Sequence, residues 1–431
     1  MTPTKPAMPL RGLRVYAWVI LLCVIASLCG AAAAQTTRIT LEQALQLALT
    51  NNPSIKAART QIDQNKAQEV TAGLRPNPLL SWDSQFVPFF NPGLFSTNTL
   101  DTLQQFDIGA GYLIERGGKR LRRQDAARDQ THVTVAQIAD MERALRFNVA
   151  QQFINVLLAE SNLAFALQDL KSFEQTVRIN EDRFQGGDIS KGDFLKIKVQ
   201  LLQFQTDVNS ARLAKAQALT SLRQLLGYDA VPRDYDVEGD LEYRLLKSGI
   251  DDLQALALQQ RPDLRAAQFG VTAAQSQVAL AKANGKQDLN VSFNYSHVSA
   301  ASTGSMFFNI PLAIFNRNQG EIARTRFAQT QAEFTSKAAG ETVLSDVRNA
   351  FESVLSSEEI VNLYHSGYLK ESQDSRDIAE FAYRQGAVAL LDFLDAERTY
   401  RATQLAYRQA LANYLLSLEQ LRQATGVRQI P

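Results

Sequence analysis

The chain has 431 residues, long enough for two or three ordinary domains or one large structure. Its 45 Lys and Arg against 44 Asp and Glu leave a formal net charge of +1, which excludes a nucleic-acid binder relying on a strong basic field. Both cysteines, Cys23 and Cys29, lie near the N-terminus, so the rest of the chain has no disulfide framework, thiolate metal site or cysteine nucleophile.

Residues 1–34 read as a cleaved secretory signal. Lys5, Arg11 and Arg14 precede an apolar run from Val15 to Cys29, and the small-residue tract Ala31 to Ala34 places cleavage before Gln35. The apolar run falls short of the ~20 residues a transmembrane helix needs. A lipid anchor on Cys29 would want a small residue before it, and Leu28 is large.

The mature chain then writes one phrase twice. LALTNNPSIKAA, Leu47 to Ala58, returns as LALQQRPDLRAA, Leu256 to Ala267, and the segments after the two copies match in order. An Ala-rich helix comes first, with proline in its first turn just after Asn52 or Arg261. Two strand candidates come next: about 79–87 and 103–114 in the first half, about 289–298 and 306–315 in the second. In the first strand of each half, apolar and polar residues alternate with period two. AASTGS, between the last two strands, reads as a turn.

A Gly-containing basic turn then opens a very long proline-free helix, about Lys119 to Phe184 in one half and Glu321 to Arg384 in the other. Such a helix reaches on the order of 100 Å, far more than a globular core can use. Ile138, Met141, Leu145, Val149, Phe153 and Val156 fall at threes and fours, as do Leu163, Leu167, Leu170 and Phe173, and Val343, Val347, Phe351 and Val354. That spacing predicts coiled-coil-like packing. The long helices end at RFQGGDISKGDFL and AYRQGAVALLDFL, where Gly187 pairs with Gly386 and Asp193-Phe194-Leu195 with Asp392-Phe393-Leu394. Return helices stop at Gly227 and Gly426, glycine being a common helix terminator.

These landmarks divide the chain into a first structural repeat, 35–227, with a helical hairpin at about 119–226. A linker spans 228–249, and then a second repeat, 250–431, carries a hairpin at about 321–425. The fold class is a mostly α, α+β membrane protein built by internal duplication. Four strands are too few to close a barrel, and open sheet edges cannot face lipid. Several chains pooling their strands into a barrel continued by a helical tunnel satisfy both constraints.

LEQALQLALTNNPSIKAA, YLIERGGKR and PLAIFNRNQGEIARTR, in order and duplicated, resemble the TolC-like outer-membrane efflux proteins, and most of all their CzcC- and CusC-type metal-efflux branch. The resemblance implies a homotrimer with a twelve-stranded β-barrel in outer-membrane lipid and an α-barrel in the periplasm. It also implies a periplasmic adaptor and an inner-membrane pump of the RND type, with metal cations as the favoured cargo. Gly186, Gly187 and Gly386 would then form the adaptor-docking tips. Asp392 and Asp395, where TolC itself carries a ring of aspartates, would line the entrance, with Asp193 as their repeat partner. An acid near a helix N-terminus is equally expected for the helix dipole alone.

No catalytic, cofactor or metal constellation is found. His132, His297 and His365 are scattered over helices and a strand, and outside the signal only Met141 and Met306 remain as methionines. ERGGKR lacks a phosphate-loop pattern. The competing reading is a periplasmic helical-hairpin adaptor, and ducts for drugs, aromatic compounds or type I protein export stand beside the metal duct.

Overall fold

A computed structural model describes residues 37–429 apart from 88, 95–97, 99–103, 244 and 300; the signal at 1–34 lies outside the described residues. The chain opens with β1 (Arg38–Ile39), α1 (Leu41–Asn51) and α2 (Pro53–Gly73), followed by β2 (Leu79–Gln85) and β3 (Gln105–Ile114). The first hairpin pairs α3 (Lys119–Gly186) with α4 (Lys191–Leu226). After β4 (Asp236–Val237) the same order returns: α5 (Ile250–Gln260), α6 (Pro262–Asn284), β5 (Leu289–Val298) and β6 (Ala301–Asn309). The second hairpin runs through α7 (Gln319–Leu363), a π-helical turn (Tyr364–Tyr368), α8 (Leu369–Arg384) and α9 (Leu390–Thr425).

Local chemistry explains the helix boundaries. Thr40 starts α1 with a reciprocal cap, its hydroxyl accepting from the Gln43 N–H at 3.3 Å while the Gln43 amide oxygen accepts from the Thr40 N–H. Pro53 and Pro262 then occupy the first turns of α2 and α6. Asn52 caps α2 by accepting from Ser54 and Ile55, and its own amide donates to the Leu225 carbonyl at 2.9 Å. Arg261, at the matching position, makes no side-chain cap. Instead it is 3% exposed and reaches Asp263, Asp346 and the Ala424 carbonyl. Each return helix is thereby tied at its end to the helix junction that opens its own half.

The four long strands form one antiparallel sheet in the order β2-β3-β5-β6. The registers Trp82 with Ile108, Ile108 with Tyr295 and Phe293 with Met306 put most of the large apolar side chains on one face, Leu79, Leu113 and Phe307 being exceptions. Ser81, Asp83, Asp107, Ser292 and Asn294 share the other. Among the described residues, β2 and β6 are each paired on one side only.

Three strands differ from expectation in their boundaries. β6 spans Ala301–Asn309 rather than 306–315: Ala301 to Ser305 pair with β5 from a tight turn at Ser299, which has φ 54°. The ladder stops before Pro311, which has no N–H to give. β2 ends at Gln85 because Phe86 turns to φ 60°. β3 begins at Gln105, residue 103 lying outside the described residues.

The segment 228–249 is not a free linker. Its strand β4 pairs in parallel with β1, and Val231, Tyr235 and Val237 are buried with Ile39, Leu145 and Phe153 in one core. The long helices pack largely at the expected positions, with Val149, Phe153, Val156, Val343, Val347 and Val354 buried, whereas Met141 and Leu167 are exposed. α3 runs unbroken for 68 residues. Its counterpart does not: Gly367, at φ 143° and ψ −26°, breaks the helical path within the π turn.

Candidate channel entrance

The tips of the two hairpins are built alike. α3 ends where the Asp188 N–H bonds to the Arg183 carbonyl at 2.8 Å, around Gly187 at φ 84°. α8 ends the same way, the Ala387 N–H reaching the Ala382 carbonyl at 2.9 Å around Gly386 at φ 74°. This left-handed C-terminal turn is one that glycine adopts at little cost. A Cβ at either glycine would meet nothing within 4 Å. Space therefore does not demand glycine there; backbone conformation does. Gly186 ends α3 in the helical region.

The Asp-Phe-Leu pair opens the return helices. Phe194 stacks on Phe184 at 5.1 Å and Phe393 on Tyr383 at 5.5 Å. The two tips meet through Tyr383, whose hydroxyl donates to the Asn180 side chain at 2.8 Å while Arg183 lies over its ring at 5.3 Å. Burial raises the Tyr383 phenol above its ordinary range.

Asp193 and Asp392 occupy the same helix-start position. Asp193 accepts from the Ser190 hydroxyl at 2.8 Å and pairs with Lys196 at 3.3 Å, interactions that hold its carboxyl below the usual range. Asp392 accepts from the Ala389 N–H at 3.2 Å. Asp392 therefore caps the first turn of its helix, whereas at the first tip Ser190 does so, accepting from the Asp193 N–H, and both acids suit the helix dipole there. Asp395, one turn further along α9, pairs with Arg398 at 2.6 Å on an exposed face. Asp392 and Asp395 thus stand together at the start of the second return helix, and Asp193 at the start of the first.

A charged cluster joins the hairpins behind the tips, and sequence reasoning missed it. Arg401 of α9 pairs with Asp169 of α3, Nε to Oδ2 at 2.6 Å, and also with Asp207 of α4. Glu397 hydrogen-bonds Asp169, and both are deeply buried. Burial and the neighbouring Asp169 push the Glu397 carboxyl up to about 7; burial outweighs Arg401 and raises Asp169 as well. Arg376 of α8 lies over Tyr400 at 4.6 Å beside them. A signal was present: Asp169 stands four residues from both Phe165 and Phe173, each buried, which is a core position for a charged side chain.

The three histidines stay apart. His132 sits beside the Phe269 ring, His297 bonds Ser302 at 3.0 Å, and His365 bonds the Tyr407 hydroxyl at 2.8 Å within the π turn. Among the described residues no group of three or more His, Cys, Asp or Glu could hold a metal ion, and no helix is long and apolar enough to cross a membrane.

A family model described as outer membrane efflux protein matches residues 44–228 and 253–427. The cobalt-zinc-cadmium resistance protein CzcC of Cupriavidus metallidurans is 24% identical over 371 residues, covering 86% of this chain and 85% of that protein. The cation efflux system protein CusC of Escherichia coli is 26% identical over 382 residues, covering 83% and 79%. The pyoverdine export outer membrane protein OpmQ of Pseudomonas putida is 25% identical over 386 residues, covering 83% and 80%. A crystal structure of CusC superposes with a TM-score of 0.75 at 22% identity, over 90% of this chain and 92% of that one.

Proposed function

The chain belongs to the outer membrane efflux protein family, and from that footing we propose that it is the passive duct of a tripartite system expelling metal cations. The protein is an outer membrane efflux channel with its helices in the periplasm, and a channel of this kind is not an enzyme. Metal cargo is favoured by the likeness to CzcC and CusC, a resistance protein and a cation efflux protein.

The observation that carries the duct is the sheet. Four strands leave β2 and β6 open, with one apolar and one polar face. Three copies joined edge to edge give a closed twelve-stranded wall, apolar toward lipid and polar toward water. Closure removes the open edges that lipid would not tolerate. Below it, the hairpins of three chains continue the passage. Gly186, Gly187 and Gly386 present exposed tips to an adaptor, and Asp392 and Asp395, with Asp193 on the neighbouring hairpin, hold carboxylates at the entrance. Rings of carboxylates favour cations over anions. An inner-membrane pump of the RND type supplies the energy.

The test is deletion and complementation in the native host. Loss of the chain should lower tolerance to cobalt, zinc, cadmium or copper salts and raise cell-associated metal, both restored by the wild-type chain. Unchanged metal tolerance with new sensitivity to organic compounds would overturn the metal reading and leave a drug or siderophore duct.

A further inference from the structure

We infer that the polar face of the sheet carries a divalent-cation site of its own, formed by Asp83 of β2 and Asp107 of β3, far in sequence from the hairpin tips. The inference rests on the duct reading in one respect: it takes this polar face to line the water-filled passage.

Asp83 and Asp107 are direct partners in the β2–β3 register. Two like charges directly opposite on one face of a sheet repel and weaken the pair. Neither carboxylate has a cationic partner among the described residues. Asp107 accepts from the Gln105 amide at 2.7 Å through Oδ2, and Asp83 from Gln85 at 3.4 Å. The remaining oxygen of Asp107 is what makes the pair more than a run of acids. The residue is only 8% exposed, and its Oδ1 is buried with no hydrogen-bond donor. A buried acceptor left unpartnered is costly, and an ion or water is a common resolution.

The surroundings supply hard oxygen donors. Gly109 lies two residues beyond Asp107 on the same face, and a Cβ there would lie 2.7 Å from the Asn294 side-chain oxygen and 2.8 Å from the Ser81 hydroxyl. The missing side chain lets those two groups close over the strand beside the carboxylates. Ser296 pairs with Asp107 from β5. Two carboxylates, an amide oxygen and hydroxyls suit a divalent cation that keeps part of its water shell. In three copies the pairs form one ring of carboxylates, a resting point for a cation on its way out.

Purified trimers in detergent, titrated with Mn2+ and followed by electron paramagnetic resonance, test the site. Wild-type protein should bind one Mn2+ per chain at this position, and Asp83→Asn and Asp107→Asn should each weaken that binding by at least about tenfold. Asp392→Asn should leave it in place. Asp83 is exposed, so Asp83→Asn remains decisive if Asp107→Asn fails to assemble. Mn2+ binding unaltered by Asp83→Asn, or no Mn2+ bound to the wild type, overturns the site. Trimer formation and single-channel conductance are read on the same preparations, so a missing site in a conducting trimer counts against this inference alone. Failure to form a conducting trimer counts against the duct.

Discussion

Arg401 and Asp169 meet at 2.6 Å across the boundary between the two hairpins, joining residues 232 positions apart in the sequence. The guanidinium also takes Asp207 from the first return helix and lies over the Phe204 ring at 4.2 Å. One side chain of the second hairpin therefore holds both helices of the first. Arg401→Ala leaves Asp169 buried without its cation, a loss on the order of 3–5 kcal/mol in this contact. The expected outcome is a trimer that still assembles, melts at a lower temperature and conducts more current in a planar bilayer. Wild-type conductance from the variant would show that this contact does not hold the hairpins together.

Glu397 makes the same contact pH-dependent. Its carboxyl is raised from 4.5 to about 7 by burial and by Asp169. The folded state favours the protonated form. Its contribution is fully present below about 4.5 and is lost as pH rises through about 7, a change on the order of 3 kcal/mol. Hydrogen exchange in α3 and α9 should quicken between those limits. Glu397→Gln should reduce the dependence, leaving the part that belongs to the raised Asp169 carboxyl, and stabilise the contact at pH 8. An unchanged slope in the variant would assign the effect to another group.

At the tips, Gly187→Val and Gly386→Val each force a branched residue into a left-handed turn, at a cost of roughly 1–2 kcal/mol. Open space surrounds both sites, so trimers should still form. Export should nevertheless be lost if the tips dock an adaptor. Gly186→Ala separates turn strain from tip contact, because its helical backbone accepts alanine and should gain about 0.5–1 kcal/mol, so any export it loses reports on the docking surface alone. Full export from Gly386→Val cells would remove that glycine from the docking surface.

The junctions of α1 with α2 and of α5 with α6 predict an order of severity. Asn52→Ala removes a helix cap and the bond to Leu225, costing about 1 kcal/mol. Arg261→Ala should cost more, because it strips Asp263, Asp346 and the Ala424 carbonyl of a buried partner. Thermal unfolding of the two variants checks the ranking, and equal melting temperatures would contradict it.

Legibility tracked the physical source of each signal. β5 could be read to its ends because Val291, Phe293 and Tyr295 alternate with polar residues in a sheet with one apolar and one polar face. β6 could not, since Ala301 to Ser305 are small and polar and carry strand structure only through their partners on β5. The β1–β4 pair is two residues long on each side and leaves no periodicity to detect. The glycines and aspartates of the tips were visible through duplication, but their hydrogen bonds were not. Glu397 and Arg401 stand four apart on α9, a spacing that puts them on one face, but no spacing within a single helix reveals their meeting with Asp169.

Gly367 separates two hairpins that otherwise share one plan. The first rises on a continuous rod, while its twin carries a break in the π turn between α7 and α8. Closed around a threefold axis, stiff and compliant staves would alternate. The lower end of such a cask would yield at three places rather than six, so its mouth would widen into three lobes instead of an even circle.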